Sequence, residues 1–172
     1  MPSGARRAIA PVLLVEDDDD TRAALVELLE SEGFAVRAVA DGTSALAALR
    51  VERFLIILLD LKLPDMPGSE VRRRQLEEPS LASVPVVVLT ADPTARIEGV
   101  AVVRKPFDID DLLAVIRAEI DAADRARSRD LLAAMSDVRK KLEKTMSDLD
   151  AIRRGRSDED DEAPPSTRRG SR

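Results

Sequence analysis

The chain has 172 residues, a formal net charge of −6 and 44% hydrophobic residues, which fits one compact α/β domain plus an appendage. It contains neither Cys nor His, which excludes disulfides, Cys-based metal sites and His-based acid–base catalysis. The acidic balance argues against nucleic acid as the main partner. No segment reaches the ~20 apolar residues of a membrane span, and we expect a cytoplasmic protein.

Short apolar runs alternate with helical patterns along most of the chain. The runs predict strands at residues 11–15, 34–39, 54–59, 85–89 and 100–103. Helical spacing predicts helices at residues 21–32, 43–50, 69–78 and from 109 onward. Asp19 or Asp20 is expected to cap the first helix. Strand–helix repetition with short loops predicts an α/β fold whose parallel sheet is covered by helices on both faces.

Chemically useful side chains follow four of these strands. Glu16 and Asp17 come after the first strand, Asp60 ends the third, Thr90 ends the fourth, and Lys105 follows the fifth. Ligand sites in open parallel sheets form beyond the carboxyl ends of the strands. We therefore expect three acids, a hydroxyl and an amine to converge at one edge of the sheet.

Four motifs at these strand ends resemble those of a known family. They are Val-Glu-Asp at 15–17, Asp-Leu-Lys-Leu-Pro-Asp-Met-Pro-Gly at 60–68, Leu-Thr-Ala at 89–91 and Lys-Pro-Phe at 105–107. Each is weak alone, but together they make the chain resemble the receiver domain of two-component response regulators. The resemblance implies a doubly wound, five-stranded parallel sheet of the flavodoxin-like order 2-1-3-4-5.

The resemblance also implies a magnesium site. Asp17 and Asp60 match direct ligands of Mg²⁺, Glu16 matches an acid that acts mainly through water, and the carbonyl of Lys62 matches a backbone ligand. Mg²⁺ suits a few carboxylates together with water and phosphoryl oxygens. It would offset charge on a transferring phosphoryl group.

The remaining roles concern the phosphoryl group itself. Asp60 resembles the phosphoryl-accepting aspartate of the family. Lys105 would be a second cation against the phosphoryl group, and the family often has a cis bond between this Lys and the following Pro. Thr90 would donate a hydrogen bond to a phosphoryl oxygen.

Two features depart from the family pattern. Only fifteen positions separate Thr90 from Lys105, which leaves room for about two helical turns at best, so the fourth helix should be short or irregular. The fifth strand of the family usually carries a switch aromatic three positions before the Lys, and Val102 stands there in this chain. We expect phosphorylation to occur but to be transmitted differently.

A helical extension follows the receiver-like part. Residues 125–154 contain no Gly or Pro, which is a helix-forming composition. A 4-3-4-3 spacing of about three heptads is carried by Leu131, Met135, Val138, Leu142, Thr145, Leu149 and Ile152. Leu132 and Met146 broaden this stripe. The pattern is compatible with a solvated helix, a dimeric coiled coil or a docking helix for another protein.

These observations divide the chain into four parts. We expect a flexible N-terminus at residues 1–10, a receiver domain at 11–123, a helical extension at 124–154 and a disordered tail at 155–172. The tail is polar and lacks the apolar residues that would offset the entropy of ordering.

The leading hypothesis is a stand-alone phosphoacceptor in a two-component phosphorelay. It would receive a phosphoryl group on Asp60 from a histidine kinase or a phosphotransfer protein, assist its own Mg²⁺-dependent phosphorylation without being a turnover enzyme, and regulate an output protein through its C-terminal helix. A homodimer is possible, and neither a DNA-binding domain nor membrane association is expected. The alternatives are a non-switching scaffold with the receiver fold, and a phosphate sink.

Overall fold

The computed structural model describes residues 10–157 and contains five strands and five helices in that range. The strands are β1 Val12–Val15, β2 Val36–Val39, β3 Ile56–Asp60, β4 Val86–Thr90 and β5 Ala101–Arg104. The helices are α1 Asp19–Ser31, α2 Gly42–Val51, α3 Gly68–Glu77, α4 Pro79–Ala82 and α5 Ile109–Ser157.

The five strands form one parallel sheet in the order β2-β1-β3-β4-β5, which confirms the predicted architecture. Val15 lies opposite Leu59, Asp60 opposite Leu89, and Thr90 opposite Arg104. The carboxyl ends of β1, β3, β4 and β5 therefore lie along one edge of the sheet.

The sheet has a hydrophobic core on each face. Every residue of β1, β3 and β4 is buried, as expected for central parallel strands that are covered on both sides. Because successive side chains of a strand point to opposite faces, Leu14 and Leu58 belong to one core and Leu13 and Leu59 to the other. The core is aliphatic, which agrees with a chain that has three Phe and no Tyr or Trp.

The first helix is capped by the residue that precedes the two acids expected to cap it. Asp18 is the N-cap, and its side chain accepts a hydrogen bond from the backbone N–H of Thr21 at 2.8 Å. Asp19 and Asp20 lie inside the first turn, where their negative charges interact favourably with the positive end of the helix dipole. The expectation that Asp19 or Asp20 caps this helix was therefore wrong.

The connections on either side of β4 differ from the usual strand–helix alternation. The short helix α4 lies before β4, between α3 and that strand. The connection from β4 to β5, residues 91–100, contains turns and bends but no helix. The fourth helix was expected to be short or irregular, and the structure has an irregular connection without a helix at this place.

The last helix is continuous from Ile109 to Ser157, so the predicted receiver helix and the predicted extension are one element. The chain separates into two compact units between Ala126 and Arg127. Of the segments predicted to be flexible or disordered, residues 1–9 and 158–172 lie outside the described residues, and 155–157 belong to the helix. None of the described helices combines the length and apolarity that a membrane span requires.

Candidate functional site

Three carboxylates meet at the carboxyl edge of the sheet. Glu16 and Asp17 follow the last residue of β1, and Asp60 is the last residue of β3. One oxygen from each carboxylate lies within 4.8 Å of the others. Glu16 is 1% exposed and Asp60 is 8% exposed, whereas Asp17 is exposed. The predicted convergence of the acids is therefore observed, with only Asp17 open to solvent.

Lys105 lies between two of these acids. Its Nζ donates to Glu16 Oε2 at 2.6 Å and to Asp60 Oδ2 at 2.7 Å. The position of Lys105 depends on β4, since its backbone N–H donates to the carbonyl of Thr90 at 2.8 Å. The peptide bond from Lys105 to Pro106 is cis, as the family resemblance led us to expect.

Burial and pairing oppose one another in this cluster. Burial raises the pKa of the Glu16 carboxyl above its usual 4.5, although the hydrogen bond from Lys105 acts to lower it. Burial alone would lower the pKa of Lys105, but its hydrogen bonds to Asp60 and Glu16 outweigh that effect and raise the pKa above 10.5. Lys105 is therefore a firmly protonated cation that holds two buried acids in place.

The phosphoacceptor candidate also has a backbone partner. The other oxygen of Asp60, Oδ1, accepts a hydrogen bond from the backbone N–H of Lys62 at 2.9 Å. The two carboxylate oxygens of Asp60 are thus held by different donors, and the plane of the carboxylate is fixed. The role of the Lys62 carbonyl as a metal ligand stays a prediction.

Thr90 lies at the end of β4, in the strand beside that of Asp60. The residue is 1% exposed, and its hydroxyl oxygen accepts a hydrogen bond from the backbone N–H of Asp92 at 3.1 Å. This bond uses the oxygen as an acceptor and leaves the hydroxyl proton available as a donor. The hydroxyl can therefore donate a hydrogen bond to a phosphoryl oxygen.

Arg22, on the first turns of α1, is a contributor that the sequence did not indicate. Its guanidinium donates to the carbonyl of Glu16 at 2.8 Å and to the carbonyl of Asp17 at 3.2 Å, and it is also paired with Asp19. The turn that presents the two acids is thereby fixed from its backbone side. The sequence carried no signal for this contact, since a long cation on α1 could equally point to solvent.

The loop after Asp60 is held by two further residues. Gly68 packs so closely that an added Cβ would collide with the carbonyl oxygen of Asp60 and lie 2.9 Å from Leu61 Cα, so no side chain fits there. Asp65 reaches the start of α2, where its oxygens accept from the backbone N–H of Gly42 at 2.9 Å and of Thr43 at 2.8 Å. A hydrogen bond from the Thr43 hydroxyl, followed by these backbone bonds, lowers the pKa of Asp65 to about 2.

The switch position on β5 is aliphatic and half-buried. Val102 packs against the core that also contains Val86 and Val88. The neighbouring Val103 is buried in the opposite core. Val102 therefore acts as a core residue and offers no ring that could swing between exposed and buried positions.

The arrangement fits a hard divalent cation and a phosphoryl group. Carboxylate oxygens are the preferred protein ligands of Mg²⁺, and Glu16, Asp17 and Asp60 bring three of them close together. Lys105 adds a fixed positive charge beside Asp60. These groups together can offset the negative charge of an incoming phosphoryl group.

Comparisons with known proteins agree with this geometry. A family model described as the response regulator receiver domain matches residues 12–117. The chain is 44% identical over 114 residues to the transcriptional regulatory protein CseB of Streptomyces coelicolor, which covers 62% of this chain and 47% of CseB. It thus spans about half the length of that relative. It is 36% identical over 118 residues to the response regulator receiver protein CpdR of Brucella abortus, covering 65% of this chain and 98% of CpdR.

The fold is also similar to a solved receiver structure. The receiver domain of the sensor histidine kinase PA1611 from Pseudomonas aeruginosa PAO1 superposes with a TM-score of 0.61 and 28% sequence identity, covering 66% of this chain and 99% of that domain. That structure has a magnesium ion coordinated in its active-site cleft.

Proposed function

The chain belongs to the response regulator receiver family, and from this premise we propose that it accepts a phosphoryl group on Asp60 in a two-component phosphorelay. The donor is the phosphorylated imidazole of a histidine kinase or of a phosphotransfer protein. The protein acts as a signalling module, in which phosphorylation changes the state of the receiver and turnover is not the purpose.

The observation that carries this proposal is the contact of Lys105 with Asp60. Lys105 Nζ lies 2.7 Å from one oxygen of a nearly buried carboxylate, at the edge where three acids converge. A carboxylate is a poor nucleophile toward an anionic phosphoryl group unless nearby cations offset the repulsion. A scaffold that never bound phosphate would have no need of a buried Glu16 and Asp60 gathered around one lysine.

The proposed metal site consists of Glu16, Asp17 and Asp60, with the Lys62 carbonyl as a further ligand. When bound there, Mg²⁺ supplies positive charge that offsets the charge of the phosphoryl oxygens. Asp17 is the one exposed acid of the group, so its carboxylate would be open to an ion from solvent. Arg22 keeps Asp17 in place through the backbone, since it binds the Asp17 carbonyl.

The transfer itself forms one bond and breaks another. An oxygen of the Asp60 carboxylate bonds to phosphorus while the bond from phosphorus to the donor imidazole nitrogen breaks, and the nitrogen keeps the electron pair. Lys105 then shifts from Asp60 Oδ2 to an oxygen of the transferred group, where it keeps its positive charge. The Thr90 hydroxyl donates its proton in a hydrogen bond to another phosphoryl oxygen.

We also propose that residues 11–123 form the phosphorylated domain and that the product state is recognised by a partner protein. The relative CpdR is described as a response regulator receiver protein, and 98% of its length is covered by the match to this chain. The relative CseB is described as a transcriptional regulator, and the chain covers less than half of it.

The test is the intact mass of the chain after incubation with acetyl phosphate. The wild-type chain should gain one phosphoryl group with Mg²⁺ present and none after chelation. Asp60→Asn should gain none in either condition, because the isosteric amide cannot form the acyl phosphate. A wild-type chain that gains no phosphoryl group, or an Asp60→Asn chain that gains one, would refute the assignment.

A further inference from the structure

The second compact unit carries a continuous apolar stripe on α5. Its residues are each 57–64% exposed and are Leu131, Met135, Val138, Leu142, Leu149 and Ile152. It runs for about 30 Å along the helix. Apolar surface of this extent on one helix face marks a contact with another molecule.

We propose that this stripe pairs with the same helix of a second copy of the chain, as an antiparallel two-stranded coiled coil. The alternating spacing of four and three places Met135, Leu142 and Leu149 at the a positions of a heptad. The d positions are then occupied by Leu131, Val138, Thr145 and Ile152.

One antiparallel register pairs all of these seam residues except Leu131. It sets Met135 against Ile152, Val138 against Leu149, and Leu142 against Thr145, and each pair occurs twice by symmetry. A parallel pair would instead set each residue against its own copy, with Thr145 facing Thr145 in the middle of the seam. The antiparallel register therefore gives the one polar position a leucine to pack against.

The hydroxyl of Thr145 does not oppose this packing. It donates to the carbonyl of Lys141 in the preceding turn of the same helix at 2.9 Å. Because the hydroxyl already has a partner, the methyl group of Thr145 can enter an apolar seam without leaving a polar atom unsatisfied.

Charges beside the seam complement a second copy in this orientation. Lys141 and Asp148 occupy g positions, which face each other in the antiparallel register and form two symmetry-related opposite-charge pairs. In a parallel pair the Lys141 side chain would face Met146 instead. In the antiparallel register Met146 lies opposite Arg139, whose methylene stem can cover it while its guanidinium stays bonded to Glu143 of its own helix at 2.9 Å.

Cysteine cross-linking in the full chain tests the orientation, because the natural sequence contains no Cys. The variants are Met135→Cys and Ile152→Cys. The proposal predicts that a mixture of the two variants gives a cross-linked dimer with a short bis-maleimide, whereas either variant alone gives little. In a single variant the two thiols would be about 26 Å apart. Efficient cross-linking of each variant alone would indicate a parallel pair and overturn the proposal.

Sedimentation equilibrium of the wild-type chain tests the association itself. The expected mass is twice the chain mass of 18.8 kDa. A mass of one chain at every concentration would overturn the proposal, since the stripe would then serve another protein or remain solvated. A mass of three or more chains would also overturn it, because a larger bundle would be the assembly.

A matched pair of charge insertions locates the interface. Leu142→Glu places a carboxylate in the seam and should convert the dimer to monomer. Ser147→Glu places the same group on the opposite side of the same helix and should leave the dimer intact. A Leu142→Glu chain that remains as dimeric as the Ser147→Glu chain would show that another surface holds the copies together, and would overturn the proposal.

Discussion

Two neighbouring regions of the sheet edge differ in how closely they follow the receiver family. The ends of β1 and β3 together with Lys105 carry the full set of charged groups, held by short hydrogen bonds. The connection from β4 to β5 contains no helix, and the switch position is the half-buried Val102. We therefore propose that the groups for phosphoryl acceptance and the route of the response are separable in this fold.

The physical reason lies in what each region requires. Acceptance needs a few groups fixed at strand ends, and the sheet supplies those positions through backbone pairing. A switch needs an element with two arrangements of similar free energy. A short connection and an aliphatic core residue reduce the number of such arrangements, so we expect phosphorylation to be transmitted by a route other than the movement of an aromatic ring.

The largest effect is expected from removing the cation of the site. Lys105→Ala should lower the rate of phosphorylation by acetyl phosphate about a hundredfold, because a charge-stabilising donor is lost from the transferring group. The rate is measured by intact mass over time. Arg104→Ala is the matched control, since it removes a neighbouring exposed cation whose side chain bonds to the Pro93 carbonyl. Equal rates for the two variants would contradict the role of Lys105.

The next effect concerns the rigidity of the loop after Asp60. Gly68→Ala should lower the free energy of unfolding by about 2 kcal/mol, because the added methyl group meets backbone atoms of Asp60 and Leu61. Gly42→Ala should cost less, since its methyl group meets the side chains of Met66 and Val71, and the long Met66 side chain can move. Urea unfolding followed by circular dichroism measures both. A larger loss of stability for Gly42→Ala would contradict the claim that the backbone at Asp60 and Leu61 is more rigid than the side chains around Gly42.

A smaller effect is expected at the switch position. Val102→Ala should lower the free energy of unfolding by about 1 kcal/mol through lost packing, and should leave the rate of phosphorylation unchanged. Val103→Ala makes the same change in the opposite core, where the residue is more deeply buried, and should destabilise the protein more. If Val102→Ala slowed phosphorylation as strongly as Lys105→Ala, the two regions would not be separable.

The smallest effect is a pH dependence at the loop that leads from the site to α2. The pKa of Asp65 is about 2, below its usual 3.8, so its contribution to stability is present above pH 3.8 and is lost as the pH falls toward 2. Asp65→Asn should be less stable than wild type near neutral pH, and the difference should shrink across that window. Urea midpoints at a series of pH values measure this. A constant difference would mean that the carboxylate charge is not the cause.

Much of this fold could be predicted because the signals were strong and local. The apolar runs that became β1, β3 and β4 are buried on both faces, and acids or a hydroxyl end two of those strands, so both the sheet and its functional edge were visible in the sequence. The shortened connection after Thr90 followed from counting residues.

The parts that were missed depend on contacts between distant or competing residues. Four consecutive acids precede α1, and which one caps it depends on where the backbone turns, so Asp18 could not be distinguished from Asp19 or Asp20. The bonds from Arg22 to the carbonyls of Glu16 and Asp17 leave no pattern in the sequence, since any long cation on α1 could have pointed to solvent. The continuity of α5 across Ala126 could not be decided from composition. A composition that forms helix on both sides of this residue fits one long helix and two separate helices equally well.

The most direct test of the central claim is to locate the phosphoryl group. Borohydride reduces an aspartyl phosphate to homoserine, so the phosphorylated and reduced chain can be digested and sequenced by mass spectrometry. We expect homoserine at position 60 in samples prepared with Mg²⁺, and unmodified Asp60 in chelated samples. Homoserine at Asp17 or at Asp65, with Asp60 unmodified, would contradict it.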